Sequence, residues 1–432
     1  MSLSSPPKPF QRKPSQLNLS PFNPNPLSVS IDKLREQFPA LQCQNMGHTP
    51  IYFDGPGGAQ QPISVIESYG NYLKQGNTNL GGHFSVSRKT GELVDTCRMK
   101  AAALFGADKK EEIVFGANMT SMTFHFSRAI SQDWNEGDEI ILSTADHGSN
   151  RSSWVMAARD KGVKVHYIPI LDNTCKLDLE AYAGLLNDKT RLVAVTAASN
   201  LTGTIVDIDK VTRLAKANGS VVFIDAVHLL PHKIMDVASL GADFVAGSAY
   251  KFFGPHLGVF YGRHAALEHY SPYKVEPAPS CSPNCWETGT LNFEALSAFS
   301  STIDYLASLG SGTGLREKLI SGYNNIGQYE NQLAEKFLTH LNAFPSIELF
   351  GEPNVNNRTA TFALRFGKLH PADVASYLGE QEIYTWSGHL YADKLTDALK
   401  ITQQGGVLRV GLMHYNTEKE IERFFSALET IL

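Results

Sequence analysis

The sequence predicts an α/β protein: a mostly parallel β-sheet covered by helices, with a small α+β unit at the carboxyl end. Three observations carry this. From about residue 51 to 275, short continuous apolar runs alternate with helical patterns. Such runs suit strands buried on both faces and joined by crossover helices. The length of 432 residues exceeds what one core usually supports, so two units are expected. Near Ala343 the pattern changes to strands and helices in mixed order.

The elements follow in chain order. The first 31 residues hold no Asp or Glu and seven of the 21 prolines. Residues 1–30 therefore read as a disordered Pro/Ser-rich arm. Its basic, acid-free composition is that of an organelle transit peptide, but its prolines oppose an amphipathic helix, and it has no apolar signal core. Order begins with a short helix over Ile31 to Phe38. Ile51 to Phe53 forms a strand that breaks into the glycine-rich turn Asp54-Gly-Pro-Gly-Gly58. The buried runs are Glu112 to Phe115, Glu139 to Leu142, Val163 to Ile168, Leu192 to Thr196, Val221 to Asp225 and Phe244 to Ala246. A helix from Glu294 to Leu309 links the large unit, residues 31–342, to the small one, residues 343–432. In the small unit Thr359 to Phe366 alternates like a half-exposed strand, Pro371 to Leu378 is helical, and Val407 to Met413 is a strand. Thr417 to Glu420 is a capping box that opens the last helix.

Composition narrows the function. Apolar residues make up 42% and charged residues 19%, with a net charge of −5 and a pI near 6.3. These are the values of an ordinary globular protein with no long-range attraction for nucleic acid or anionic membrane. No stretch approaches ~18 consecutive apolar residues, so no transmembrane span is expected. Five cysteines, an odd number, argue against a disulfide framework and for a reducing compartment, here the cytoplasm. No ligand spacing for a metal emerges: Cys281 and Cys285 are only two ligands, and Pro231 interrupts His228 and His232.

In an open parallel sheet, ligands bind at the carboxyl ends of strands. Lys251 follows the run Phe244 to Ala246 and precedes a Phe-Phe-Gly-Pro turn. Desolvated, its amine becomes a nucleophile able to form a Schiff base; exposed, it stays protonated. Asp225 ends the run Val221 to Ile224 and is followed by His228. A buried acid there either pairs with a cationic ring nitrogen or caps the next turn. His147, after the run Glu139 to Leu142, could stack on a planar ring or shuttle protons. Met119, Thr120 and Ser121 open a helix and offer an anion cup, or an ordinary helix start. Asn200 could bond a ring hydroxyl or make a turn. Arg409 lies within an apolar strand, where a guanidinium suits a carboxylate ligand.

Taken together, Asp146-His147-Gly-Ser-Asn150, Ala198-Ser-Asn200, Asp225-Ala-Val-His228, Ser248-Ala-Tyr-Lys251 and Glu287-Thr-Gly-Thr290-Leu-Asn292 resemble the class V aminotransferases, above all the cysteine desulfurases and their desulfurase-like relatives. The resemblance runs from about Tyr52 to Leu432. It implies fold type I, the aspartate aminotransferase-like fold with a seven-stranded sheet, and the cofactor pyridoxal 5'-phosphate. It makes Lys251 the Schiff-base lysine that later moves the Cα proton, Asp225 the partner of the pyridine nitrogen and His147 the ring-stacking histidine. Asn200 lies near the ring oxygen, and His228 takes the place of a glutamine that contacts that oxygen. Thr120 and Ser248 are implied phosphate ligands, and Met119 stands where a second threonine is often found. Thr290 is implied to reach the phosphate of the neighbouring protomer, giving a homodimer with shared sites. Arg409 is the implied grip on a substrate carboxylate.

The chain also departs from the pattern. Desulfurases carry a mobile cysteine in an Arg-x-Gly-His-His-Cys-like segment. Here the stretch is Trp386-Ser-Gly-His389-Leu-Tyr391, with Tyr391 at the cysteine position and Trp386 at the arginine position. Tyrosine cannot carry a persulfide. Together with Asn79 to Arg88, this places the chain with the desulfurase-like branch. The expected activity is C–S bond cleavage of an amino acid without an enzyme persulfide. Tyr391 or His389 would supply a proton, and Trp386 and Arg88 would meet substrate. Transamination and racemisation or epimerisation, as in isopenicillin N epimerase, remain open at this point, as does a retired scaffold.

Overall fold

The computed structural model describes residues 27, 29–45 and 47–432. The arm expected over 1–30 lies outside the described residues except for Leu27, Val29 and Ser30. Ser30 caps the first helix, which spans Ile31–Arg35 and so stops three residues short of the expected Phe38.

The strands are β1 Ile51–Tyr52, β2 Ile113–Gly116, β3 Glu139–Ser143, β4 Lys164–Ile168, β5 Thr190–Thr196, β6 Val221–Asp225, β7 Phe244–Ser248 and β8 Gly258–Gly262. They continue with β9 Ile347–Phe350, β10 Thr361–Phe366, β11 Ile383–Tyr384, β12 Trp386–Gly388 and β13 Val407–Gly411. Seven strands form the central sheet in the order β2-β8-β7-β6-β5-β3-β4. Only β8 runs against its neighbours, β2 and β7. Alternate residues feed two cores. Val193, Val195, Val222, Ile224 and Val245 enter one; Leu192, Ala194, Phe223, Phe244 and Ala246 enter the other. That double burial is why the strands read as unbroken apolar runs.

The helix expected over Glu294 to Leu309 spans Phe293–Ser308. It packs on the helices Ile63–Gln75 and Ser85–Phe105. A longer helix, Leu315–Leu341, follows it. The two approach so closely that a Cβ on Gly322 would come within 2.5 Å of the Leu306 carbonyl oxygen. The carboxyl-terminal unit is a four-stranded antiparallel sheet in the order β12-β13-β10-β9. Its β10 was expected to be half exposed, yet only Arg365 of its six residues is not buried. Phe362 and Leu364 pack into the main core while Ala363 faces a second cluster with Leu201 and Leu395. β1 pairs in parallel with β11, so Ile51 and Tyr52 are tied to this unit. The capping box at Thr417 and Glu420 opens the last helix, Glu418–Glu429. No helix among the described residues is long and apolar enough to cross a membrane.

Candidate active site

The carboxyl ends of β3, β5, β6 and β7 deliver the residues that the sequence singled out. Strand register aligns Thr196 with Asp225 and Asp225 with Ala246. Asp225 therefore ends its strand beside the turn, Ala249–Lys251, that carries the lysine. The Asp225 carboxylate is buried, and among the described residues its one hydrogen bond comes from the Val227 N–H at 3.0 Å. Burial pushes its pKa up to about 6, against the pull of Lys251. Lys251 donates to the Pro56 carbonyl at 2.5 Å and the Gly57 carbonyl at 3.0 Å. Its pKa is pushed down to about 7, first by burial and then by Arg409, while Asp225 and Asp54 oppose the fall. A free amine at neutral pH is what a Schiff-base lysine requires.

His147 caps the helix Gly148–Lys161. Its Nδ1 accepts from the Ser149 N–H at 3.1 Å, so this nitrogen carries no proton. Burial, then the charges of Lys251, Arg409 and Arg151, push its pKa down to about 4. The Tyr391 ring lies 5.3 Å from the His147 ring at 37°. The strap behind Tyr391 is tied down twice: Gly148 N–H donates to the Tyr391 carbonyl at 2.7 Å, and Asn200 Nδ2 to the Leu390 carbonyl at 2.9 Å. Leu390 and Tyr391 both have positive φ, 50° and 61°. Backbone strain of this kind collects at functional sites. His389 is exposed and accepts the Tyr391 N–H at Nδ1.

Arg409 lies on β13, opposite Trp386 of β12. It is buried, donates from Nη1 to the Asn200 carbonyl at 2.9 Å, and its Nε has no partner. No carboxylate among the described residues lies within ion-pair distance of it. Burial lowers its pKa to about 10, against the pull of Asp54. Trp386 is half exposed and covers Gly57, where a Cβ would come within 2.6 Å of the indole Nε1. His228 is buried, with Nε2 3.2 Å from both the Thr359 and Thr361 hydroxyls.

The phosphate candidates occupy one helix start and a strand end. Thr120, on the first turn of Met119–Ile130, shares a 2.8 Å hydrogen bond with the Ser149 hydroxyl, and Ser248 is the buried last residue of β7. The Met119 side chain packs into the core instead, which leaves its main-chain N–H for an anion. Two residues are not brought in. Arg88 is exposed on its helix without a side-chain hydrogen bond or ion pair among the described residues. Thr290 is likewise exposed, in a segment anchored by the buried Arg98–Glu287 pair, whose guanidinium and carboxylate meet at 2.7 Å and 2.8 Å.

Sequence reasoning gave no role to Asp146 or Asp54. Asp146 accepts the N–H groups of Ser143 at 2.7 Å and Thr196 at 2.6 Å and the Asn150 amide at 3.1 Å, which clamps β3 to β5 behind His147. Asp54 has a buried, unpartnered Oδ1, and burial raises its pKa to about 6 in the field of Arg409 and Lys251. Only long-range contacts reveal these roles; the Asp146-His147 and Asp54-Gly55 pairs were visible in the sequence without a purpose.

The set fits pyridoxal phosphate. A buried carboxylate with no cation within ion-pair distance among the described residues matches a protonated ring nitrogen, a desolvated amine matches the aldehyde, and a helix start beside a strand end matches the phosphate. Comparison with known proteins agrees. The family model described as aminotransferase class-V matches residues 51–424. Cysteine desulfurases of Yersinia pestis (strain Pestoides F) and Yersinia pseudotuberculosis serotype O:3 (strain YPIII) are each 30% identical over 420 residues, covering 94% of this chain and 99% of the relative. The solved cysteine desulfurase CsdA of Escherichia coli superposes with a TM-score of 0.81 at 25% identity, over 93% of this chain and 98% of that one. The cysteine desulfurase of Thermococcus onnurineus NA1 shares the fold, with a TM-score of 0.83 at 24% identity, over 93% and 97% of the two chains.

Proposed function

The chain belongs to the class-V aminotransferases as a cysteine desulfurase-like, pyridoxal phosphate-dependent enzyme, and from that premise we propose that it cleaves the C–S bond of cysteine or a cysteine-like amino acid without holding sulfur on its own chain. The observation that carries this is the pairing of Lys251 and Asp225 with a strap that offers Tyr391, not a thiol, beside His147.

The bound cofactor supplies an electron sink for a bond at the substrate Cα. The protein does the rest. Asp225 holds a proton on the ring nitrogen. His147, uncharged, would stack on the cofactor ring. Ser248, Thr120 and the Met119 N–H would hold the phosphate, while Asn200 and His228 would meet the ring oxygen. Arg409 grips the substrate carboxylate through the donors it does not spend on Asn200. Trp386 walls the pocket. Lys251 takes the Cα proton as a free amine. Tyr391 or His389 hands a proton to the departing sulfur. With one water added, cysteine gives hydrogen sulfide, ammonia and pyruvate.

A second copy of the chain completes each site, with Thr290 reaching the partner's phosphate. The large unit spans 31–342 and the small one 343–432. Five unpaired thiols suit the cytoplasm. The test is incubation of the holoenzyme with cysteine. Sulfide and pyruvate in equal amounts support the reading. Alanine with enzyme-bound sulfane sulfur, or deuterium exchange at Cα without product, refutes it.

A further inference from the structure

The strap that sets this chain apart from the desulfurase pattern carries two exposed aromatic rings. Trp386 stands at the arginine position and Tyr391 at the cysteine position. They are 51% and 69% exposed, whereas the other three of the four tryptophans are at most 5% exposed. Both rings border the site. Trp386 is the cross-strand partner of Arg409, so the two side chains stand on the same face of the sheet. A Cβ on Gly57 would meet the indole, and the Gly57 carbonyl accepts from Lys251 at 3.0 Å. Tyr391 lies against His147, with ring centroids 5.3 Å apart. A third ring, that of Tyr250, lies 4.6 Å from the Lys251 Nζ. An amino acid gripped at Arg409 therefore has aromatic surface beside it, left bare toward solvent. Aromatic surface at the rim of a pocket suits an apolar group, above all another ring.

The chemistry of sulfur points the same way. A sulfur atom that must be handed to a protein thiol has to arrive without a substituent. Elimination sets no such limit. The Cβ–S bond breaks, both electrons go to sulfur, and the thiol leaves with its substituent and one proton. We propose that the substrate is an S-substituted cysteine, a thioether whose apolar or aromatic S-substituent packs against Trp386 and Tyr391. The inference rests on the C–S cleavage reading and narrows its substrate class. With one water added, S-benzylcysteine gives benzyl mercaptan, ammonia and pyruvate.

The test compares pyruvate release from S-benzylcysteine and from cysteine by the holoenzyme. The wild type favours S-benzylcysteine in kcat/KM by about tenfold, and Trp386→Ala removes most of that margin, the loss expected when one ring no longer packs on another. Tyr391→Phe keeps the ring and keeps the margin, whatever it does to kcat. If Trp386→Ala does not fold, Trp386→Leu fills the space without a ring and takes its place. Binding is read separately, from the shift of the cofactor's visible band on titration with 2-amino-5-phenylpentanoate, which has a methylene in place of sulfur and cannot eliminate. It binds the wild type about tenfold tighter than norvaline, which lacks the ring, and loses that advantage in Trp386→Ala. Pyruvate from cysteine alone, or a margin for the benzyl compounds that Trp386→Ala leaves unchanged, sinks the inference and spares the C–S reading. No pyruvate from either substrate sinks both.

Discussion

The Lys251 amine gives the sharpest quantitative prediction. An exposed lysine near 10.4 is uncharged in about one molecule in 10³ at pH 7, whereas at about 7 the Lys251 amine is free in roughly half of the molecules. Apoenzyme should therefore combine with pyridoxal phosphate at a rate that levels off just above pH 7, after correction for the same reaction with a simple free amine. The causes of the low value can be separated. Arg409→Gln removes the cation ranked next after burial, so the midpoint should rise by about one pH unit. Asp54→Asn removes an opposing carboxylate, so the midpoint should fall. Stopped-flow absorbance follows the visible band. A wild-type midpoint near that of a free lysine refutes the desolvated-amine reasoning. So does an Arg409 variant whose midpoint falls.

Two further outcomes follow. The Arg98–Glu287 pair is buried, at 5% and 6% side-chain exposure, so Glu287→Ala strands a guanidinium and should cost about 3–5 kcal/mol in urea unfolding; a loss below about 1 kcal/mol would show that the pair is not the anchor of the 287–292 segment. His147 has a folded-state pKa near 4, below its unfolded value of about 6.5. The unfolded chain thus binds more protons between those values, and apoenzyme stability falls as pH drops through that window. His147→Gln should flatten this limb, and an unchanged slope contradicts the assignment.

Much of the large sheet was legible because its strands are buried twice over. Val221 to Asp225 reads the same in sequence and structure. β8 was not named, since Gly258 and Gly262 at its ends look like turn residues. β10 was misjudged because Arg365 gave it a polar beat, although the sheet is covered on both faces. Within the site, Lys251, Asp225, His147 and Asn200 announced themselves by following apolar runs, and Arg409 by lying inside one. Asp146 did not, nor did the buried Glu330. Glu330 lies on the buried face of its helix, and its partner His232 is distant in sequence. The role of Asp146 depends on N–H groups from two strands that no local pattern links.

Borohydride reduction of the holoenzyme followed by peptide mapping tests the central claim most directly. The account predicts a single cofactor-labelled peptide containing Lys251, and neither label nor visible band in Lys251→Ala. A label on another lysine, or a reducible band that survives Lys251→Ala, would contradict it.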